Sequence, residues 1–237
     1  MTTFSRDTPA QTLSEIAERT GLTRAAARRF LLTLRDLGYV ESDGRFFSLR
    51  PRVLELGYSY LASLPVWDIA RPHLEELSDQ VQETTSASVL DGSDIVFVAR
   101  VETKRIMSMT LGVGSRLPAW ATAMGRVLLA DLSPDQLDDY FRRVPRQPLN
   151  ERTVTDEACL RKIIADARTN GWTLVDQEVE EGVRSLAVPL RSPQGRTEAA
   201  LTVCSHAFRV SVERILDEFL PLVTETSGRI TAELARR

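Results

Sequence analysis

Between Thr12 and Gly38 the apolar positions recur three and four residues apart, first at Leu13, Ile16 and Ala17, then at Ala27, Phe30, Leu31, Leu34 and Leu37. That period predicts two short amphipathic helices. Thr12 stands where an N-cap is needed, and Glu15 three residues later completes a capping box. Gly21 ends the first helix, Leu22 is expected to bury in the turn, Thr23 caps the second helix and Gly38 ends it. Residues 39–41 and 46–49 then flank Ser42-Asp43-Gly44-Arg45, which predicts a hairpin turning at Asp43-Gly44. Two helices across a tight turn, followed by a hairpin, form the layout of a winged helix-turn-helix.

The pattern changes after Leu49. Arg50-Pro51-Arg52 opens a strongly apolar helix carrying Val53, Leu54, Leu56, Tyr60 and Leu61, which Pro65 interrupts. A helix this apolar is expected to pack on something, a second copy of itself included. A further helix is predicted over 66–82, with Pro72 as a kink point. Strand patterns follow at 85–90, 95–101 and 106–111, then helices at 123–130, 134–141 and 155–169, the last capped by Thr155. Strand patterns return at 173–175, 186–191 and 199–204, and a last helix runs over 210–234. Helices before and after an antiparallel sheet describe an α+β fold. The expected divisions are a DNA-binding domain over 1–50, a linker helix over 51–64, and a sensing and oligomerisation domain over 65–237.

Composition narrows this picture. The chain has 237 residues, 43% hydrophobic and 27% charged, which is ordinary for a globular protein. No apolar run reaches the ~20 residues of a membrane span, and MTTFSRDTPAQ has no signal-peptide pattern, so a cytoplasmic protein without a membrane partner is expected. Two distant cysteines, Cys159 and Cys204, and two histidines, His73 and His206, suggest neither a disulfide framework nor a metal or cofactor centre.

The net charge of −3 hides an asymmetry. Residues 1–52 hold nine arginines against six acids, so they carry +3 and the remainder −6. A small basic head on an acidic body suits local neutralisation of phosphates. Within that head Thr23, Arg24, Ala25, Arg28 and Arg29 lie on the outward side of the second helix, and Arg45 at the hairpin tip. Small alanines let a helix approach base edges while guanidinium groups reach guanine or phosphate, so these six residues are the candidate contacts to double-stranded operator DNA.

Three segments, LSEIAERTGLTRAAARRFLLTLRDLGYV, LPAWATAMGRVLLA and GWTLVDQEVEEGVRSLAVPLRSPQGRTEAALTV, together resemble the IclR family of bacterial transcriptional regulators over nearly the whole chain. The stretch DQEVEEGVRSLAVP is most similar to the PcaR/PcaU/PobR branch, which controls aromatic-acid catabolism through the β-ketoadipate route. The resemblance implies a winged helix joined by a linker helix to a GAF-like effector domain, assembled as a homodimer or tetramer. It implies effector contacts at Ala123 and Met124, at Val183 and Ser185, and at Thr202 and Cys204. The expected effector is a small organic acid such as protocatechuate, 4-hydroxybenzoate or β-ketoadipate. Ser185 and Thr202 offer hydroxyls, and the Met124–Gly125 backbone lies at a helix start, where N–H groups favour an anion. Arg126 or Arg184 is the candidate counter-charge, and Trp120, Met107, Met109 and Leu111 are candidate walls, with plain core packing as their alternative.

The family carries another helix before the capping box. Here eleven residues precede Thr12, without apolar periodicity and with Pro9 among them. Either the true start lies upstream, or the head is expected to lack its first brace and bind DNA less well; a DNA-binding-defective sensor is the limiting case. Two other readings compete. One is a regulator of the same type for a different organic-acid pathway. The other is a GAF-like redox or thiol enzyme using Cys204 with His206 beside it, which would lack a third orienting group.

Overall fold

In the computed structural model, residues 1–5, 7–103 and 111–236 are described, with Pro65, Val66 and Trp67 followed by backbone only. The chain divides into two compact units, Met1–Ser63 and Leu64–Arg237.

In the first unit, α1 (Leu13–Thr20) and α2 (Arg24–Asp36) meet across the Gly21 turn, where glycine takes φ +66°. The capping box forms: the Thr12 N–H donates to Glu15 Oε2 at 2.7 Å, and Thr12 Oγ1 accepts from the Glu15 N–H at 3.4 Å. Strands β1 (Ala10–Thr12), β2 (Val40–Ser42) and β3 (Phe46–Leu49) pair antiparallel in the order β1-β3-β2. The hairpin turn is held by Asp43, whose Oδ1 accepts from the Arg45 and Phe46 N–H groups at 2.9 and 2.7 Å. These bonds hold the Asp43 carboxyl below its ordinary range. Ile16, Leu31 and Val40 form the core, with Phe4, Leu13, Leu34, Phe47 and Leu49 packed around them.

Three residues expected inside this unit face out. Phe30 is 61% exposed, Leu37 52% and Leu22 39%. At 100° per residue the buried stripe of α2 centres on Ala27, Leu31 and Leu34, and Phe30 and Leu37 fall about 60–80° to one side. No helix forms among the described residues before β1. The segment instead folds back, with the Gln11 amide donating to the Thr3 carbonyl at 2.8 Å and Arg19 Nη1 to the same oxygen at 3.1 Å. The linker helix α3 (Val53–Ala62) leaves Leu54, Leu56, Tyr58 and Tyr60 exposed.

Among the described residues, the second unit is a six-stranded antiparallel sheet between two helical layers. Its strands are β4 (Thr84–Asp91), β5 (Asp94–Val101), β6 (Arg116–Pro118), β7 (Thr173–Asp176), β8 (Val183–Arg191) and β9 (Thr197–His206), in the order β6-β5-β4-β9-β8-β7. On one face α4 (Pro65–Val81) packs beside α9 (Leu220–Leu234), and His73 Nε2 meets Glu233 Oε1 at 3.0 Å. Pro65 starts α4 rather than only ending α3, since its missing N–H costs nothing at a first helical position. Pro72 does not end α4: the carbonyl that loses its partner belongs to Asp68, on an exposed turn. Residues 210–234 form a short turn α8 (Val212–Arg214), a π-helical turn over Ile215–Phe219, and then α9. Pro221 lacks the N–H that would bond the Asp217 carbonyl, and the wider turn absorbs that gap.

The other face carries α5 (Ala123–Leu129), α6 (Pro134–Arg143) and α7 (Glu157–Asn170) over a core of Ile95, Phe97, Trp120, Leu160 and Ile164. The cap of α7 is Asp156, not Thr155: Asp156 Oδ1 accepts from the Cys159 N–H at 2.8 Å, while the Thr155 carbonyl accepts from Arg146 Nε at 3.3 Å. The strand expected over 106–111 lies outside the described residues apart from Leu111, and with it Met107 and Met109. Strand β6 had no period-2 signal, being three residues long.

Candidate functional site

The first candidate site is the outer face of the head. Thr23 Oγ1 accepts from the Ala26 N–H at 3.2 Å and so fixes the start of α2. Arg24, Ala25, Arg28 and Arg29 are all exposed. Positions 24, 28 and 35 form one helical stripe, and Arg24, Arg28 and Arg35 line an open concavity of about 430 Å³ together with Arg45 from the hairpin tip. Thr12, Ser14 and Ser42 supply hydroxyls around its rim. Ala25 and Arg29 lie on the adjoining stripe, outside the concavity. Arg35 escaped the sequence reading because it sits near the C-terminal end of α2. Its Nη2 is held by Asp36 at 3.1 Å, so part of its charge is already neutralised. Among the described residues no carboxylate pairs with Arg24, Arg28 or Arg29.

The second candidate site is a cavity of about 50 Å³ between the sheet and α5. All six residues proposed as effector contacts line it: Ala123, Met124, Val183, Ser185, Thr202 and Cys204. Cross-strand partners share a face of a sheet, and here Ala187, Thr202, Ser86 and Arg100 form one row across β8, β9, β4 and β5. Ser185 opposes Cys204 one step along, with Oγ and Sγ 3.1 Å apart.

A bulge decides what β5 contributes. The register passes from Ala87–Ala99 to Ser88–Phe97, which leaves Val98 as an extra residue. Strict alternation would put Phe97 and Arg100 on opposite faces; the extra residue brings both into the cavity wall. Arg100 is therefore a cationic lining residue that the sequence reading missed, as it missed the acidic Glu180. Its side chain is 6% exposed, its Nε donates to Glu102 Oε1 at 2.9 Å, and its guanidinium carbon lies 5.8 Å from the Phe97 ring centre.

Neither arginine expected to supply the counter-charge does so. Arg126 donates from Nη1 and Nη2 to Glu178 at 2.8 and 2.6 Å and from Nε to the Trp120 carbonyl. Arg184 is held by Asp176 at 2.7 Å and by the Ala207 and Val210 carbonyls. Trp120 is core, 2% exposed, and does not line the cavity, whereas Leu111 does. The Met124–Gly125 backbone is also less available than expected, because Thr122 Oγ1 already accepts from the Gly125 N–H at 3.0 Å. The Thr202 hydroxyl donates to the Leu186 carbonyl at 2.7 Å.

The thiol of Cys204 is pushed up by burial, a protonated and weakly nucleophilic state. His206 stacks on Phe208 with ring centres 5.3 Å apart and is not among the lining residues. Among the described residues no cluster of three metal-ligating side chains occurs, and no helix is long and apolar enough to cross a membrane.

Two family models cover the chain. Residues 1–44 match the IclR helix-turn-helix domain, and residues 58–232 match the C-terminal domain of the bacterial transcriptional regulator IclR. The chain belongs to the IclR family. A Pca regulon regulatory protein of Pseudomonas putida is 42% identical, over 94% of this chain and 77% of its own. The p-hydroxybenzoate hydroxylase transcriptional activator of Acinetobacter baylyi is 35% identical, over 96% and 86%. These relatives place the chain with the branch that its DQEVEEGVRSLAVP stretch resembles. Among solved structures, an IclR homolog from Microbacterium hydrocarbonoxydans complexed with 4-hydroxybenzoate superposes with a TM-score of 0.84 at 28% identity, covering 98% of this chain and 95% of that one. As an IclR-family regulator, the chain pairs a helix-turn-helix head with an α+β C-terminal domain.

Proposed function

We propose that this IclR-family chain regulates aromatic-acid catabolic genes of the β-ketoadipate type, with a small aromatic or dicarboxylic acid as effector. The observation that carries this reading is the cavity under α5. Apolar walls from Leu111, Leu117 and Val179 close over a floor that contains a buried guanidinium and several hydroxyls. That is the arrangement a flat acid requires: dispersion contacts for a ring and a few fixed polar groups for its charge. The relatives' roles and the 4-hydroxybenzoate held by a solved neighbour point the same way. The head reads operator DNA through Arg24, Arg28, Arg29 and Arg45, in a homodimer or tetramer. Effector binding favours one arrangement of that oligomer and so changes the spacing of the heads. No catalytic step is assigned to Cys204, whose thiol stays protonated.

The test is a thermal-shift panel of protocatechuate, 4-hydroxybenzoate, β-ketoadipate and muconate, paired with titration into labelled DNA from the upstream region of its own gene. A true effector at 100 times its dissociation constant adds about 2.7 kcal/mol of stability. It also changes the DNA titration. A panel without any shift rejects the aromatic-acid assignment, and a different acid that shifts the protein identifies another pathway.

A further inference from the structure

The strand between the lining strands β5 and β9 carries polar groups that the fold itself does not use. Ser86 and Ser88 lie on β4 and are fully buried, and the Oγ of each has no hydrogen-bond partner. A buried hydroxyl without a partner costs on the order of 1–3 kcal/mol, so two on one strand face call for a reason. Ser86 pairs directly with Arg100 on one side and Thr202 on the other, and both of those side chains line the cavity. The Ser86 hydroxyl therefore lies in the same row, beside the guanidinium. The β5 bulge turns Arg100 inward, Phe97 flanks its planar group, and Glu102, mostly in solvent, holds its Nε. A guanidinium fixed on one edge, with a hydroxyl donor beside it, matches a planar carboxylate.

We propose that Arg100 anchors the carboxylate of the effector, with the Ser86 hydroxyl as the second donor and Glu102 as the group that positions the guanidinium. This rests on the aromatic-acid reading above and specifies the orientation of the ligand: acid end on β5, ring beneath α5.

The experiment is calorimetric titration of the full chain with 4-hydroxybenzoate and with 4-hydroxybenzamide, its neutral counterpart of nearly equal shape. The wild-type chain binds the acid more tightly than the amide. In Arg100→Gln the acid-over-amide preference falls by roughly 10–100-fold, as expected for loss of a charge-assisted bond, while amide affinity stays within about threefold. Ser86→Ala lowers acid affinity by a smaller factor, roughly 5–10-fold. An acid affinity unchanged in Arg100→Gln, or equal loss of acid and amide, overturns the proposal. If Arg100→Gln does not fold, Arg100→Met takes its place, and a wild-type acid-over-amide preference in that variant is equally fatal. A wild-type chain that binds neither probe nor any other aromatic acid instead rejects the aromatic-acid reading itself.

Discussion

Arg126 and Glu178, fifty-two positions apart, meet through two bonds of 2.8 and 2.6 Å with side chains only 1% and 11% exposed. The pair ties α5, which carries Ala123 and Met124, to the 177–182 loop, which carries Val179 and Glu180. Glu178 also accepts from the Val154 N–H at 3.0 Å, and its own carbonyl accepts from Thr153 Oγ1 at 2.6 Å. Three segments are thus joined behind the cavity by one carboxylate, and the cavity wall inherits their rigidity.

Removing one partner leaves a buried charge uncompensated, which costs about 3–5 kcal/mol. Arg126→Ala is expected to destabilise the second unit by that amount in urea unfolding. Arg126→Met with Glu178→Leu removes both charges and is expected to recover most of the loss, less the bonds to the Val154 N–H and the Trp120 carbonyl. If the double variant is as unstable as the single one, the cost lies in packing and not in the orphaned charge.

Gly125 is fixed by close approach and not by backbone conformation. A Cβ there would overlap the Ala119 carbonyl oxygen, which belongs to the 3-10 turn Ala119–Ala121. Gly125→Ala must therefore push α5 away from that turn, at a cost of about 1–3 kcal/mol or more. Effector affinity is expected to fall with it, because Ala123 and Met124 move together with α5. A variant with wild-type melting temperature and ligand affinity would show that the contact yields without consequence.

Much of this was legible from residue spacing. The capping box at Thr12 and Glu15 and the Asp43-Gly44 turn follow from local chemistry that any segment carries with it. The features that escaped are those set by partners distant in sequence. Arg100 falls on the face opposite Phe97 by alternation and reaches the cavity through one bulged position, Val98. Arg126 offers a free charge in the sequence and has none in the fold, because Glu178 arrives from another element. Phe30 and Leu37 match a helical period, but which stripe of α2 is covered depends on where α1 and β2 pack.

Tyr140 links α6 to the turn below it. Its hydroxyl donates to the Ser93 carbonyl at 3.0 Å and accepts from the Trp120 N–H at 3.1 Å. Burial pushes its pKa up to about 12 from an ordinary value of 10.0. Between those values the unfolded chain releases a proton that the folded chain keeps, so stability falls as pH rises from about 10 towards 12. Tyr140→Phe is expected to remove that slope and to cost about 1–3 kcal/mol at pH 7 by leaving the buried Trp120 N–H unpaired, while the Ser93 carbonyl keeps its bond from the Ala119 N–H. Chemical denaturation at pH 8, 10 and 11 checks both; an unchanged alkaline slope in the variant means another group titrates there.

Arginines on α2 differ in what they can give to a phosphate. Arg24 and Arg28 line the concavity beneath the hairpin with Arg45, while Arg35 lines it but is held by Asp36. Binding that neutralises phosphates weakens with salt, and each lost contact flattens the dependence by about one unit of slope. Arg28→Ala and Arg45→Ala are each expected to lower the slope of log affinity against log salt by about 1, with weaker binding at every operator sequence tested. Where an arginine instead reads a guanine, its removal costs about 1–3 kcal/mol at one base pair and relaxes preference there alone. Arg35→Ala is expected to change the slope by less than half as much, since Asp36 already offsets its charge, and Asp36→Asn is expected to steepen it. A salt titration by fluorescence anisotropy separates these outcomes, and equal slopes for Arg28→Ala and Arg35→Ala would show that the Asp36 pair opens when DNA arrives.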